Sequence, residues 1–162
     1  MFREVSRNSK QILSAERCEA ILNKATSGVL NLLGDDDYPY GVPISYAYKD
    51  GRLYFHGMPR GHKMDAMTKH EKASFTIIET DRVVAEEYTS YFRSVIVFGK
   101  MRILEKPEEK VEGLMNLVDK YSADYRDGGM DEINGKLNGV SVFVLEIEHI
   151  SGKEASEFVG AK

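Results

Sequence analysis

The chain has 162 residues, a length that suits one domain whose core is large enough to fold without a metal ion or a disulfide. Lys and Arg total 22 against 26 Asp and Glu, and the net charge of −4 gives no broad positive field for a polyanion, so nucleic acid is not an expected partner. Cys18 is the only cysteine, which excludes an internal disulfide and a multi-thiolate metal site within one chain.

The first predicted helix begins after Ser14, a residue type that caps helices well. Cys18, Ile21, Leu22 and Ala25 recur at helical spacing. A short amphipathic helix is therefore predicted over residues 14–24, with Cys18 in the core.

From Gly28 the pattern changes to short stretches rich in Val, Ile, Tyr and Phe, separated by turn-forming residues, which is typical of β-strands. Residues 28–33, 38–48 and 52–57 predict an antiparallel meander. Asp50-Gly51 is its strongest hairpin signal, because both residues tolerate the positive φ of a tight turn.

The middle of the chain predicts a short helix at 63–69 and a fourth strand at 73–79. The mostly polar stretch 80–93 is predicted to be a long loop. Its aromatic residues Tyr88, Tyr91 and Phe92 form a candidate surface for a ligand or a partner, because loops of this length in compact domains tend to be functional. Residues 94–104 return to the strand pattern.

A second, longer helix is predicted at 107–121, because Pro107 suits a first helical turn and the apolar residues from Val111 to Tyr121 share one face. A Gly- and Asp-rich connection at 124–139 leads to a last strand at 140–150, and the polar tail 151–162 is predicted to be irregular. Six strands with flanking helices predict a mainly β fold for the single domain 1–162, arranged as a closed or nearly closed antiparallel barrel.

The start of the chain lacks an apolar core of signal-peptide length, and no later apolar run is long enough to span a bilayer. A lone cysteine fits a reducing compartment. We therefore expect a cytoplasmic protein with no membrane partner.

The most informative local chemistry lies in residues 56–63, called here the basic segment, which leave a strand, cross a glycine-containing loop and enter a helix. Glycines allow close backbone approach, helix-start N–H groups point outward, and Arg60 or Lys63 supplies positive charge. This combination suits an anion such as phosphate. A solvated basic turn, in which Gly57 and Gly61 serve only the chain reversal, explains the same residues, and spacing alone favours neither interpretation.

The histidines of the basic segment, His56 and His62, are also potential metal ligands. No thiolate or carboxylate nearby completes an obvious ligand set. No metal site is expected.

The chain as a whole carries a resemblance beyond any one motif. Taken in order, its motifs resemble the pyridoxamine-phosphate-oxidase-like flavoproteins, and within that superfamily they most closely resemble the nitroimidazole-resistance (Nim-type) group. The matching stretches are YPYGVPISY at 38–46, DG at 50–51, LYFH at 53–56, GHK at 61–63, YFRSVIVFGK at 91–100 and IEHISGKE at 147–154.

This resemblance implies a homodimeric, six-stranded FMN-binding split barrel with a flavin in each of two grooves between the subunits. By this resemblance, the residues expected to line the isoalloxazine ring are Val42, Pro43, Ile44 and Ser45. The residues expected to hold the phosphate are His56, Gly57, His62 and Lys63. Two further residues are expected to approach the flavin from the partner subunit: Arg93 and Ser94. Without the resemblance, Ile44 and Tyr46 are better explained as core and Pro43 as an edge-strand residue.

One departure from the family pattern is Gly57, where related sequences often have Ser after the strand-end His. The hydroxyl donor is missing here, which predicts weaker phosphate binding.

The reaction that the resemblance implies is flavin-dependent reduction. A reduced nicotinamide, NAD(P)H, would deliver hydride, and a small aromatic or nitroaromatic acceptor would take the electrons. The candidate proton donors are His56, His62 and Tyr91. A flavin- or haem-binding module without turnover is an alternative, as is a pyridoxamine-phosphate oxidase.

Overall fold

The computed structural model describes residues 1–6 and 8–160, and in this part of the chain the strands form one antiparallel sheet flanked by helices. The strands are β1 (Ser27–Leu33), β2 (Pro39–Ser45), β3 (Ala47–Lys49), β4 (Arg52–Gly57), β5 (Lys72–Val84), β6 (Thr89–Ile103) and β7 (Ser141–Glu154). The α-helices are α1 (Ala15–Lys24), α2 (His62–Lys69), α3 (Pro107–Tyr121) and α4 (Arg126–Lys136). Single 3-10 turns lie at Ser9–Gln11, Asp35–Asp37, Ala85–Glu87, Ala123–Tyr125 and Ser156–Phe158.

The strand order across the sheet is β2-β1-β5-β6-β7-β4-β3, so β2 and β3 are its two edges. These edges are consecutive in the chain and only Tyr46 separates them. The sheet must therefore curl until its edges meet at Tyr46, although no ladder joins β2 to β3 in the described part of the chain. The predicted mainly β, antiparallel fold with flanking helices is confirmed, and the unclosed curl is consistent with a split barrel.

The prediction of six strands is wrong because the predicted strand 38–48 breaks at Tyr46, which gives seven. The Tyr121 hydroxyl at the end of α3 accepts the Tyr46 N–H at 3.0 Å, and it lies 2.7 Å from the Tyr46 carbonyl oxygen and 2.5 Å from that of Thr26. These contacts replace ladder bonds for Tyr46. Its own hydroxyl donates to the Leu22 carbonyl at 2.7 Å inside the core.

The core fills the inside of the curl. Aromatic rings form its centre, where Phe55 lies edge-on to Phe75 and stacks on Phe143, each at 5.4 Å between ring centroids. A second apolar cluster lies on the other face of β4 and β7 and includes Tyr54, Leu104, Val142 and Val144, with Leu114 of α3 packed against it. Both faces of β4 and β7 are therefore covered.

The predicted loop 80–93 is wrong, because these residues continue the β5–β6 ladder as a long hairpin. The register shifts between Ile78 and Thr80, and the turn closes at Tyr88, whose φ is 53°. Residues such as Arg82 and Val83 are exposed. A hairpin arm that extends beyond the core needs no strict apolar alternation, which explains its polar, loop-like sequence.

The predicted irregular tail is also wrong over its first part, because β7 extends to Glu154. The Glu154 side chain is 1% exposed, and the Arg17 guanidinium donates two hydrogen bonds to it, each of 2.7 Å. Since this pair joins residues 137 positions apart, the local sequence does not reveal it. Residues 161–162 of the predicted tail lie outside the described residues.

The predicted connection 124–139 contains helix α4 despite its glycines. A Cβ at Gly129 would come within 2.8 Å of a Val118 methyl group, so this glycine allows α4 to pack closely on α3. Ile133 is buried in the same helix. Among the described residues, no helix has both the length and the apolar character needed to cross a membrane.

Tyr121→Phe tests the junction at Tyr46. We expect this variant to lose about 1 kcal/mol of unfolding free energy, because it deprives the Tyr46 N–H of its acceptor. Urea unfolding monitored by circular dichroism measures the difference. Tyr125→Phe is the matched control because its ring is 77% exposed. Equal unfolding free energies for the two variants would contradict the role given to the Tyr121 hydroxyl.

Candidate functional site

The basic segment begins where β4 ends, at His56 and Gly57, and continues through a loop into α2. Gly61 precedes the helix with φ 120°, a conformation that L side chains rarely adopt. The N–H groups of His62 and Lys63, the first two residues of α2, have no intrahelical acceptor by position. The helix start therefore presents backbone donors next to a glycine that leaves open space.

Lys63 supplies the positive charge at this helix start. Its Nζ lies beside Gly57, where an added Cβ would be 2.9 Å away, and 5.5 Å from the centroid of the Phe143 ring. Among the described residues no carboxylate lies within 4.0 Å of this ammonium group. Lys63 is thus a cation that the rest of the described chain leaves without a counter-ion.

His62 is held against the β1–β2 hairpin. Its ring stacks on Tyr40 with 4.1 Å between centroids, and its Nε2 accepts the Asp35 N–H at 3.2 Å. Because Nε2 accepts, the neutral ring carries its proton on Nδ1. His62 therefore ties the basic segment to β2.

His56 lies on the exposed side of β4 and makes no side-chain hydrogen bond to another described residue. Desolvation by the surrounding protein lowers the pKa of His56 below its ordinary value, and the positive charge of Lys63 lowers it further. His56 is therefore neutral at pH 7, with one ring nitrogen able to donate and the other able to accept.

The predicted ring-binding residues lie on β2, where burial alternates strictly. The side chains of Val42 and Ile44 pack against the core, while Pro43 and Ser45 are exposed on the opposite face, called here the outer face. Only backbone groups of Val42 and Ile44 are thus available to a ligand. Pro43 suits this position because β2 is an edge strand with one neighbour.

The outer face continues across the sheet as a row of directly paired residues. Pro43 pairs with Val29, Val29 with Thr76, Thr76 with Ile96, and Ile96 with Ser151. Ser94 lies beside this row and lines a cleft of about 260 Å³, whose other walls include Ile96, Phe98, Lys153 and the chain from Arg3 to Ser6. Phe2 lies over the same face and stacks on His149 at 4.9 Å.

Arg93 is engaged in a network of charges on the α1 side of the sheet. Its guanidinium donates to Glu79 at 3.2 Å and to Glu154 at 3.0 Å. Hydrogen bonds from Arg17 hold the pKa of Glu154 below its usual range, and those from Arg93 act in the same direction. These two hydrogen bonds fix the position of the Arg93 guanidinium and use two of its five N–H donors.

Tyr91, the third candidate proton donor, lies near the end of the β5–β6 hairpin. Its hydroxyl donates to the Glu87 carboxylate at 2.6 Å, and this hydrogen bond raises the pKa of Tyr91. Its proton is therefore shared with Glu87.

One chain brings only part of the predicted site together. His56, Gly57, His62 and Lys63 lie beside the first residues of β2. The other three predicted residues lie towards the opposite end of β6: Tyr91, Arg93 and Ser94. The near end of β6 is at Ile103, which pairs with Phe143 next to the basic segment. From Ile103 to Arg93 the strand runs for ten residues, roughly 33 Å along its length.

Sequence reasoning missed the outer-face residues Val29, Thr76 and Ile96. A signal for them was present, because Ile77 and Ile78, and likewise Val95 to Phe98, are apolar at successive positions rather than at alternating ones. Strands that are apolar on both faces predict that the outer face is covered as well. No local pattern could have found the Arg17–Glu154–Arg93 network.

Lys63→Met tests the electrostatic coupling within the basic segment. Because the Lys63 charge disfavours protonation of His56, removing it should raise the pKa of His56 towards its ordinary value. An NMR titration of the His56 ring measures this pKa. In the control Lys69→Met, a lysine that pairs with Asp35 at 3.3 Å is removed, and the His56 pKa should not move. An unchanged pKa in Lys63→Met would contradict the arrangement.

The solved structures that are similar to this chain include the following three. A proposed 5-nitroimidazole antibiotic resistance protein from Bacteroides thetaiotaomicron is 23% identical, with a TM-score of 0.73 over 88% of this chain and 86% of that one. A FAD-binding protein from Mesorhizobium loti is 26% identical, with a TM-score of 0.66 over 90% and 98%. A FAD and heme binding protein from Mycobacterium smegmatis is 20% identical, with a TM-score of 0.75 over 91% and 74%.

The first and third of these structures share too little sequence to show more than the fold. Among curated proteins, an uncharacterized protein of Rhizobium meliloti (strain 1021) is 29% identical over 154 residues, which cover 90% of this chain and 95% of that protein. The model of the pyridoxamine 5'-phosphate oxidase family matches residues 14–154, nearly the whole chain. The resemblance found in the sequence is thereby confirmed, and the chain belongs to the pyridoxamine 5'-phosphate oxidase family.

Proposed function

We propose that this protein is an FMN-dependent oxidoreductase that works as a homodimer. It passes electrons from a reduced nicotinamide to a small aromatic or nitroaromatic acceptor. The observation that carries the proposal is the cation of Lys63 at the start of α2. Within residues 1–6 and 8–160 it has no counter-ion, and it lies beside an edge strand able to hold a planar ring.

The phosphate end of the flavin is assigned to the basic segment. Lys63 would bind the phosphate through a charge-assisted hydrogen bond, and the N–H groups at the start of α2 would donate to it as well. The open space at Gly61 lets an oxyanion approach the backbone. This donor set fits a phosphate group, because it offers several donors, and among the described residues no carboxylate competes for Lys63, although Asp35 lies 3.8 Å from His62 Nε2.

The ring end of the flavin is assigned to the outer face of β2. His62 stacks on Tyr40 at the start of β2, and Ser45 lies five residues further on, roughly 17 Å along the strand. A ligand with a phosphate at one end of a flexible chain and a flat ring at the other can follow this direction. Pro43 and Ser45 then face the ring, with backbone groups of Val42 and Ile44 between them.

The homodimer is supported by the outer face. Ile78, on the strand that carries Thr76, is 66% exposed, and Phe98, on the strand that carries Ile96, is 37% exposed. Apolar side chains on an exposed sheet face favour association with a second copy. Arg93 and Ser94 lie far from the basic segment of their own chain, so we expect them to reach the phosphate end of the flavin from the partner subunit.

The flavin, when bound, supplies the hydride and electron chemistry. The chain orients the ring along β2, holds the phosphate at Lys63 and limits the access of water. His56 and His62 lie nearest to the proposed phosphate. A histidine ring that has first taken up a proton can give it to a reduced acceptor that comes within reach. Tyr91 can act as a proton donor only when dimer formation brings it close to the flavin and its hydroxyl group no longer donates to Glu87.

A binding module without turnover is the second candidate. The solved FAD and heme binding protein from Mycobacterium smegmatis, with a TM-score of 0.75, supports it. Tight flavin binding without oxidation of NAD(P)H by any acceptor would favour this module. Turnover of pyridoxamine 5'-phosphate would instead favour the reaction after which the family is named.

Lys63→Ala tests the phosphate assignment. Loss of a charge-assisted hydrogen bond of about 1.5–3 kcal/mol should weaken FMN binding roughly 10- to 150-fold. Quenching of FMN fluorescence on titration with protein measures the affinity, and circular dichroism checks that the variant is folded. Lys69→Ala is the control from the same helix and should bind FMN like the unchanged protein. Equal affinities for the two variants would disprove the assignment.

Gly57→Ser adds a second, opposite test. A Cβ at this position lies 2.9 Å from Lys63 Nζ, which can move aside because it is the end of a flexible side chain. The new hydroxyl would lie beside the proposed phosphate, and FMN binding should become tighter. A weaker affinity in this folded variant would mean that the phosphate lies elsewhere.

The oxidoreductase activity is tested by following NAD(P)H absorbance in the presence of FMN-loaded protein and a panel of nitroaromatic and quinone acceptors. Oxidation that depends on both protein and acceptor is expected. FMN-loaded protein that oxidises no NAD(P)H with any acceptor would refute turnover while leaving flavin binding intact.

A further inference from the structure

A cleft of about 340 Å³ lies between α1, β3 and α3. None of the residues that line it belongs to the proposed flavin site. The size of the cleft falls within the range of small-molecule pockets. The residues that line it are Asn23, Ala47, Tyr48, Lys49, Asn116, Asp119 and Lys120.

The amine of Lys120 is fixed in position at this cleft. Its Nζ donates a 2.5 Å hydrogen bond to the Ala25 carbonyl at the end of α1 and lies 3.9 Å from the centroid of the Tyr46 ring. The Tyr121 ring lies on another side, at 5.5 Å. The nitrogen is therefore held by neutral groups and not by a carboxylate.

The charge on Lys120 is stabilised by aromatic rings and a carbonyl oxygen but not by a counter-ion. Of the carboxylates in the described part of the chain, none lies within 4.0 Å of its Nζ, and the neighbouring Asp119 pairs with Arg126 at 3.2 Å. Burial lowers the pKa of Lys120 to about 8. Roughly one tenth of these amines are therefore neutral at pH 7, against fewer than one in a thousand for an ordinary lysine.

Asn116 is the second unusual group at the cleft. It lies one helical turn before Lys120 on the same face of α3 and is 9% exposed, and its Nδ2 has no hydrogen-bond partner among the described residues. A buried amide without a partner costs free energy, so its presence needs an explanation. A ligand oxygen in the cleft would give the amide a partner after rotation of its side chain.

We propose that this cleft is a second ligand site, which takes a small aldehyde and holds it as an imine on Lys120. The neutral amine adds to the carbonyl carbon, and a new C–N bond forms as the carbonyl π pair moves to oxygen. The oxygen takes up protons and leaves as water, and the nitrogen loses its protons to give C=N. No oxidant or reductant is consumed.

The other residues of the cleft suit this addition. Asn116 can hydrogen-bond the carbonyl oxygen and then the hydroxyl group of the adduct. The Asp119 carboxylate can relay the proton that the departing water needs. Ala47 and the ring of Tyr48 offer apolar surface to the carbon chain of the aldehyde.

The test treats the intact protein with propanal and sodium cyanoborohydride at pH 7, so that each imine is trapped as a propyl amine. Peptide mass spectrometry measures the labelling rate of each lysine. We expect Lys120 to be labelled at least about tenfold faster than Lys49, which lines the same cleft, because more of its amine is neutral. We also expect its rate to saturate as the propanal concentration rises.

Variants separate a ligand site from a merely reactive amine. Asn116→Ala should remain folded and slow the labelling of Lys120 at low propanal concentration, while Lys106→Arg, at an exposed residue that does not line the cleft, should leave that rate unchanged. Labelling of Lys120 no faster than that of Lys49 would overturn the proposal. A rate that rises linearly with propanal and ignores Asn116→Ala would also overturn it, because no site would then bind the aldehyde.

Discussion

The fold depends on the way in which the chain passes from one edge of the sheet to the other within a single residue, Tyr46. The buried ring of Tyr46 and the Tyr121 hydroxyl hold this junction from two sides. Because β2 and β3 are joined there, the sheet cannot open into a flat layer, and its aromatic core is enclosed. The C-terminal end of α3 therefore fixes the curl of the barrel, and with it the direction in which β2 leaves the junction.

That direction determines what the candidate site can do. With one face of β2 committed to the core, Pro43 and Ser45 are left on an exposed edge that leads away from His62 and the basic segment. The start of α2 and the exposed edge of β2 thus lie next to each other. Arg93 and Ser94 lie towards the other end of β6, far from the basic segment, and the proposed dimer is what would bring them to it.

Much of this could be predicted from local patterns. Helix α3 is visible in the sequence because it has Pro107 in its first turn and an apolar stripe. The hairpin turn at Asp50-Gly51 is visible as well, because this residue pair strongly favours a tight turn. The local sequence does not show where β7 ends or that the strand breaks at Tyr46. Distant partners decide both, because Arg17 binds Glu154 at the end of β7 and Tyr121 binds Tyr46. The extent of the β5–β6 hairpin is not visible in the local sequence either. The basic segment was recognisable as a loop entering a helix. Whether Lys63 lacks a counter-ion depends on the folded chain.

The flavin site is the central claim, and the absorption spectrum of the freshly purified protein tests it most directly. We expect flavin absorption bands that correspond to one flavin per chain, and we expect denaturation to release this flavin as FMN. A haem Soret band without flavin bands would contradict the claim. A colourless protein that still lacks flavin bands after incubation with FMN and gel filtration would contradict it equally.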